Sequence, residues 1–387
     1  MDTSYRLSRL DTDIFSELDQ LKNDYIAIGG DIINLSIGSP DQPPAPHIIE
    51  VLKNAVSDPT MYGYTLTDGL IDFKKAVSDW YLNRFRVELD YRKEVLSLIG
   101  SQDGLGHIFL SFLNPGDLAL IPDPGYPIYS TGVILADGKI FPLPLLKENN
   151  YLPDLEQIPE EVAMKAKIMV LNYPNNPLSA VCDKSFFEKV VYFAKKYGII
   201  VCHDVAYSEL AFDGYRPCSF LEVKGAKEVG VEFHSLSKTF NMAGCRIAFI
   251  VGNAEIIEAL RRLKSNIDYG IFQAVQQAGI AALTGPQDYV KKTALTYQRR
   301  RDILVDGLAS CGWKIEKPQA TMFLWAPIPA HYSSSKEFAV KLLENTGVVV
   351  TPGNAFGKMG EGFVRIALVA EAERMREVVQ RIAVSGI

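Results

Sequence analysis

The chain has 387 residues, 48% of them hydrophobic and 22% charged, and a formal net charge of −6. That length exceeds one small core and suits a large domain with a smaller companion, while the composition excludes disordered and fibrous chains. The negative charge gives no field to gather nucleic-acid phosphates, and no window of 18 uncharged apolar residues is present to span a membrane.

At the N-terminus, MDTSYRLSRLDTDIF has no apolar run behind basic residues, so no secretory leader is expected. From about residue 46 to 285, short apolar runs alternate with helical patterns. The runs at 95–99, 118–121, 140–143, 168–171, 199–202, 231–233 and 247–251 predict strands, and the 3.6-residue periodicity of 184–197 and 255–264 predicts helices between them. Continuous apolar strands separated by helices predict a mostly parallel seven-stranded sheet covered on both faces. After TGPQ (284–287) a long helix is expected, with Arg299, Arg300 and Arg301 on a solvated or interdomain face. Strand, helix and strand patterns then follow in TMFLWAP, SSSKEFAVKLLENTG, VVVTPG, FVRIALV and EAERMREVVQRIAV. This α/β chain divides into a large domain over 45–285 and a small α+β domain formed by 1–44 and 286–387. Its five cysteines, Cys182, Cys202, Cys218, Cys245 and Cys311, show no CxxC pair and read as small buried hydrophobes in a reducing, cytoplasmic compartment.

Ligands of open α/β sheets sit beyond the carboxyl ends of the strands, so the turns there carry the chemistry. LIGSQDGLGHIF (98–109) is neither a dinucleotide fingerprint nor a P-loop. A strand entering Gly-Ser-Gln and a helix offers free N–H groups to a phosphate, or simply an N-cap at Ser101. PDPGYP (122–127) either aims Tyr126 into a cleft or packs it in the turn, and the prolines of LNYPNNPLSA make Asn175 and Asn176 a rigid turn whose amides can bind a planar polar group. IIVCHDVAYSEL ends a buried strand on His203 and Asp204, with Tyr207 three residues on. A carboxylate there needs a cation; without HExxH, HxH or CxxC, a cationic ring nitrogen fits better than a metal. HSLSKTFNMAGCR (234–246) sets Lys238 among Ser235, Ser237 and Arg246. A phosphate seat, a stacking aromatic, an aspartate for a ring cation, a tyrosine hydroxyl and a carbonyl-reactive amine are together the needs of pyridoxal 5′-phosphate.

With NLSIGSPD, YGYTLTDG, GSQDG, DPGYP, NYPNNP, HDVAYSE, HSLSKTFNMAGCR and EGFVRIAL in this order, the whole chain resembles the class I/II aminotransferases, pyridoxal-phosphate enzymes of fold type I. Through LIGSQDG, LNYPNNP, EFHSLSKTFNMAG and AALTGPQ it looks most like the LL-diaminopimelate aminotransferase branch. The resemblance implies that Lys238 is the Schiff-base lysine and proton shuttle, that Asp204 pairs with the pyridine nitrogen, that Tyr207 donates to the phenolic oxygen and that Tyr126 stacks on the ring. Ser101, Gln102, Ser235, Ser237 and Arg246 would hold the phosphate, with Tyr64 reaching in from a second subunit and Asn176 also beside the cofactor. Arg365 and Asn176, with backbone near Gly38, would take the substrate α-carboxylate, and Gln102 and Thr67 would stand near its distal end. No metal is implied. The expected enzyme is a homodimer with shared sites moving an amino group from an amino acid to a 2-oxo acid by a ping-pong mechanism, with LL-diaminopimelate and 2-oxoglutarate the expected pair. Alanine, aspartate, glutamate or aromatic donors, and a lyase or cyclopropane-carboxylate synthase on the same residues, are alternatives. A non-catalytic effector-binding module would need a DNA-binding domain ahead of the fold, where only about 45 residues stand.

Overall fold

The computed structural model describes residues 2–10, 13–27 and 29–386, and over 13–18 the backbone only. Met1, Asp11, Thr12, Ile28 and Ile387, which belong to segments assigned above to the smaller unit, lie outside the described residues. The seven expected runs form β1 (Val95–Leu98), β2 (Leu118–Asp123), β3 (Lys139–Pro144), β4 (Ala166–Asn172), β5 (Ile200–Asp204), β6 (Gly230–Ser235) and β7 (Ala248–Gly252) of one sheet. Its spatial order is β1-β7-β6-β5-β4-β2-β3. All strands but β7 run in one direction, and β7 is antiparallel to both neighbours.

Successive side chains of β4 serve opposite faces, as a pleated strand requires: Ile168 and Val170 join one apolar layer, Met169 and Leu171 the other. The first layer receives the helices Ser101–Phe112, Ile128–Leu135 and Ala254–Lys264; the second receives Ile71–Phe85, Lys184–Tyr197 and Gln273–Thr284. Lys184–Tyr197 shows how the sequence bounds a helix: the Asp183 carboxylate accepts from Phe186 N–H at 2.9 Å, and Gly198, at φ 68°, ends it in the left-handed region.

A separate core surrounds the antiparallel strands β8 (Phe323–Pro327), β9 (Thr351–Pro352) and β10 (Phe363–Ala367), with the helices Asp288–Ser310, Ser335–Thr346 and Ala372–Ser385 against them. The N-terminal segment joins this unit, Ile33–Asn34 pairing in parallel with Val348–Val349. Of the arginine run only Arg299 is exposed. Arg300 and Arg301 are buried: Arg300 grips Asp41 through both terminal nitrogens, at 2.7 and 2.6 Å, and Arg301 Nη1 lies 2.6 Å from Asp213. Each buried guanidinium reaches out to its own, more exposed carboxylate, which the helix pattern alone does not reveal. Among the described residues no helix is long and apolar enough to cross a membrane.

Candidate active site

Because six strands share one direction, Asn172, Asp204 and Ser235 close β4, β5 and β6 at the same edge of the sheet, where Gly100 also follows β1. The reversed β7 starts at that edge. Ala248 pairs with both Leu98 and Ser235, so Arg246, two residues earlier, comes beside Gly100. A Cβ on Gly100 would stand 2.3 Å from Arg246 Nη2, and Gly100 itself holds φ 77°. Only glycine lets the guanidinium lie against the start of the Ser101–Phe112 helix.

That helix start has no side-chain cap: Gly100 occupies the cap position and Ser101 is the first helical residue. The alternative of an ordinary N-cap at Ser101 is thereby corrected. Asp103 turns back to accept from Ile99 N–H at 2.9 Å, which leaves the positive helix end and Arg246 facing one space. Arg246 meets no carboxylate among the described residues and donates to Ala243 O at 3.0 Å. Ser235 and Ser237 are buried beside it, Ser235 Oγ accepting from Ser237 N–H at 3.1 Å. Gln102 is exposed and accepts from the Tyr126 hydroxyl at 2.9 Å. This uncapped cradle fits a phosphate.

Lys238, on the single turn Leu236–Thr239, donates through Nζ to Gly38 O at 2.5 Å. Burial first, then the charges of Arg365 and Arg246, pull its ammonium down to about 8. Asp204 is 5% exposed and accepts from Tyr129 Oη at 2.8 Å and Ala206 N–H at 3.2 Å, with no salt-bridge cation among the described residues. Burial raises its pKa while the Tyr129 hydroxyl opposes the rise. A buried carboxylate without a counter-ion suits a protonated ring nitrogen. Tyr207, also buried, packs edge-on to Phe323 with ring centres 5.6 Å apart, and its phenol is pushed above its ordinary range by burial.

Arg365 projects from β10, only 7% exposed, between the rings of Phe323 and Phe356, its Cζ 4.4 and 4.6 Å from their centres. Its Nη1 donates to Asn176 Oδ1 at 2.8 Å, its Nη2 to Ser36 O at 2.6 Å, and its buried Nε has no partner among the described residues. Burial draws its pKa down to about 10. A buried guanidinium among neutral acceptors, with one donor unmet, fits a carboxylate ligand. Gly38 belongs here too, since a Cβ on it would meet Phe323 Cζ at 2.5 Å.

Of the fourteen positions the family resemblance implies, Tyr64 and Thr67 are the two the chain does not gather at this edge. Tyr64 is 90% exposed and tilts against Tyr269; Thr67 is buried with its hydroxyl on Asp268 O at 3.1 Å. Sequence reasoning missed Tyr129 and Phe323. Tyr129 stands three residues after Tyr126, a second hydroxyl in the same turn, and Phe323 is hidden in an apolar strand. Asp103, His107 and Asp268 bring ligand atoms within 4.8 Å of one another, but Lys264 Nζ joins the two carboxylates, 2.7 Å from Asp268, and already meets their demand for a cation.

Residues 30–382 match the family described as "Aminotransferase class I and II". A relative from Moorella thermoacetica named LL-diaminopimelate aminotransferase is 50% identical over 99% of this chain and 98% of its own length. One of the same name from Desulforudis audaxviator is 52% identical over 97% of this chain and 96% of its own. Among solved structures, BacF from Bacillus subtilis superposes with a TM-score of 0.97 at 41% identity, covering 100% of this chain and 99% of its own. A probable N-succinyldiaminopimelate aminotransferase from Thermus thermophilus gives 0.92 at 39%, over 96% of this chain and 100% of its own. With a family match across most of its length and relatives half identical over nearly all of it, the chain belongs to the class I and II aminotransferases and is a pyridoxal-phosphate-dependent aminotransferase, not a lyase or an effector-binding module.

Proposed function

We propose that the chain takes the amino group of LL-diaminopimelate and passes it to 2-oxoglutarate, a reaction of lysine biosynthesis that interconverts them with tetrahydrodipicolinate and glutamate. The supporting observation is the set of relatives named for that activity, from 48% to 52% identical over 97% or more of this chain. When bound, pyridoxal phosphate supplies an aldehyde for the amine and a protonated ring that withdraws electrons from the substrate Cα.

The chain's own groups divide the remaining work. The start of the Ser101–Phe112 helix, Gln102, Ser235, Ser237 and Arg246 bind the phosphate. Asp204, oriented by Tyr129, would hold a proton on the ring nitrogen, Tyr207 would donate to the phenolic oxygen, and Tyr126 would stack on the ring. Lys238 Nζ, neutral at moderately alkaline pH because of its buried, cation-rich surroundings, would hold the cofactor's aldehyde carbon between turnovers and move the proton at the substrate Cα. Arg365, Asn176 and the main chain at Gly38 take the α-carboxylate in a two-pronged grip. The large unit, 45–285, thus holds the cofactor and contributes Asn176 to the grip, and the smaller one, 1–44 with 286–387, supplies Arg365 and Gly38.

The reading includes a cytoplasmic homodimer. Segments 62–67 and 267–272 run side by side through the Tyr62–Phe272 and Tyr64–Tyr269 ring contacts and leave Tyr62, Tyr64, Leu66, Ile267 and Tyr269 exposed. An apolar patch of this kind marks an interface, and Tyr64 there reaches the neighbouring subunit's phosphate.

A second reading, a donor of another class, has a structural basis: Gln102 and Thr67 offer an amide and a main-chain-bonded hydroxyl, not charges, to a distal ammonium and carboxylate. Adding single amino acids to holoenzyme and following the visible spectrum decides between them. LL-diaminopimelate should convert the cofactor to its amino form faster than alanine, aspartate, glutamate or phenylalanine; the reverse order would leave an aminotransferase with another donor.

A further inference from the structure

Arg365 and Asn176 lie 189 positions apart in the chain. Beneath them two residues hold left-handed backbones, Ser179 at φ 57° and Thr321 at φ 75°. A β-branched residue crowds its own main chain there, so the conformation persists only where the surroundings enforce it. Thr321 is held from several sides. Its N–H donates to Leu210 O at 2.7 Å, Ala320 bridges Ala211, and its hydroxyl lies 2.7 Å from that of Ser179. Ser179 Oγ also donates to Phe323 O at 2.9 Å, and Phe323 N–H donates to Thr321 Oγ1 at 3.2 Å. Since the one Ser179 hydroxyl hydrogen points to Phe323 O, Thr321 must be the donor between the two hydroxyls, and every polar hydrogen of the knot is then used. Both side chains are buried, at 6% and 0% exposure.

Three parts of the site lie one short step from this knot. Asn176 precedes Ser179 by three residues, Tyr207 precedes Leu210 by three, and Phe323 follows Thr321 by two. The Phe323 ring in turn touches Arg365, Tyr207 and the space above Gly38. We propose that the Ser179–Thr321 hydroxyl pair is a positioning latch for the α-carboxylate, fixing Phe323 and the gap between Asn176 and Arg365 that the carboxylate enters. Neither hydroxyl touches the substrate; the pair acts through the residues it spaces. The inference rests on the reading of Arg365 as the carboxylate's receptor.

The test measures dead-end binding of 2-oxoglutarate to the cofactor-loaded enzyme by visible absorbance, with KM and kcat for an amino acid alongside. Thr321→Gly removes the hydroxyl from a residue whose φ glycine adopts without strain, and Ser179→Ala removes its partner. Each should weaken 2-oxoglutarate binding roughly three- to tenfold and raise KM more than it lowers kcat. The double variant should be little worse than either single one, because both break the same link. Thr321→Ser, which keeps the hydroxyl, should restore binding. Unchanged binding in Thr321→Gly and Ser179→Ala, or a loss in Thr321→Ser equal to that in Thr321→Gly, overturns the latch. Arg365→Lys measured in parallel separates the two levels. Weak binding there beside unchanged latch variants removes the latch alone, whereas wild-type binding there removes the carboxylate assignment and the latch with it.

Discussion

Arg365 and Asn176 meet at 2.8 Å across two separate cores, and the guanidinium finds neutral oxygens where a buried cation would ordinarily find an anion. Lysine in its place keeps the charge but cannot present two parallel donors while also reaching Asn176 and Ser36. Arg365→Lys should lower kcat/KM for amino acids by about a hundredfold, the scale of one lost charge-assisted hydrogen bond, and Arg365→Ala should lower it further. Steady-state kinetics with a single α-amino acid checks this; an unimpaired Arg365→Lys enzyme would place the carboxylate elsewhere.

Lys238 combines burial with two neighbouring cations, and both disfavour its ammonium. In protein stripped of cofactor, its reaction with an amine-directed acylating reagent should rise with pH through a midpoint of about 8. The sign follows from the lowered pKa: the amine is charged and inert below that midpoint, free above it. Peptide mapping after borohydride reduction of the holoenzyme should find the pyridoxyl group on Lys238. A label on another lysine, or a midpoint near that of surface lysines at about 10.4, contradicts the assignment.

Tyr129 gives Asp204 its one side-chain hydrogen bond among the described residues, the largest of the influences that oppose the rise burial causes in the carboxyl pKa. Tyr129→Phe removes the opposing influence, so the Asp204 pKa should climb further and the acid limb of the pH–kcat/KM profile should move to higher pH. Asp204→Asn keeps the shape without the charge and should reduce turnover by about a hundredfold or more, the scale of one electrostatic contact at a reacting centre. A pH profile unmoved in Tyr129→Phe would make that tyrosine a packing residue only.

Leu66 is exposed on the patch that carries Tyr64 and Tyr269. In the proposed dimer a carboxylate there would be buried without a counter-ion against the apolar patch of the second copy. If the proposed dimer forms through this patch, Leu66→Asp should shift the light-scattering mass from dimer to monomer, and the monomer should release cofactor more readily for want of the Tyr64 contact proposed above. Wild-type protein that is already monomeric at micromolar concentration would exclude a shared site.

The strands of the large sheet were legible because each is a short apolar run bounded by helix or turn residues, and the two-sided burial of β4 is what such a run predicts. The reversal of β7 was not legible: 247–251 is as apolar as its neighbours, and only pairing shows its direction. Which of the two alternatives for Arg300 and Arg301 holds, a solvated or an interdomain face, was not legible for a similar reason. On the helix alone they look like a charged stripe, whereas their partners, Asp41 and Asp213, lie 259 and 88 positions away. Residues that follow strands, such as Asp204 and Lys238, stood out as chemistry in apolar surroundings. Tyr129 did not, because an aromatic in a helix reads as core until its hydroxyl is seen on Asp204, 75 residues on.

The pairing of Ile33–Asn34 with Val348–Val349 ties the carboxylate grip to the order of synthesis. Ser36 leaves the ribosome 329 residues ahead of the Arg365 that bonds it, an interval of roughly 15 to 65 s at ordinary elongation rates. Every strand of the large sheet, and Lys238 with it, emerges inside that interval. A nascent chain can therefore complete its phosphate cradle while the first strand of the other core still lacks a partner. A bulky fusion that keeps residues 31–36 from docking should yield a protein that holds pyridoxal phosphate yet grips no amino acid.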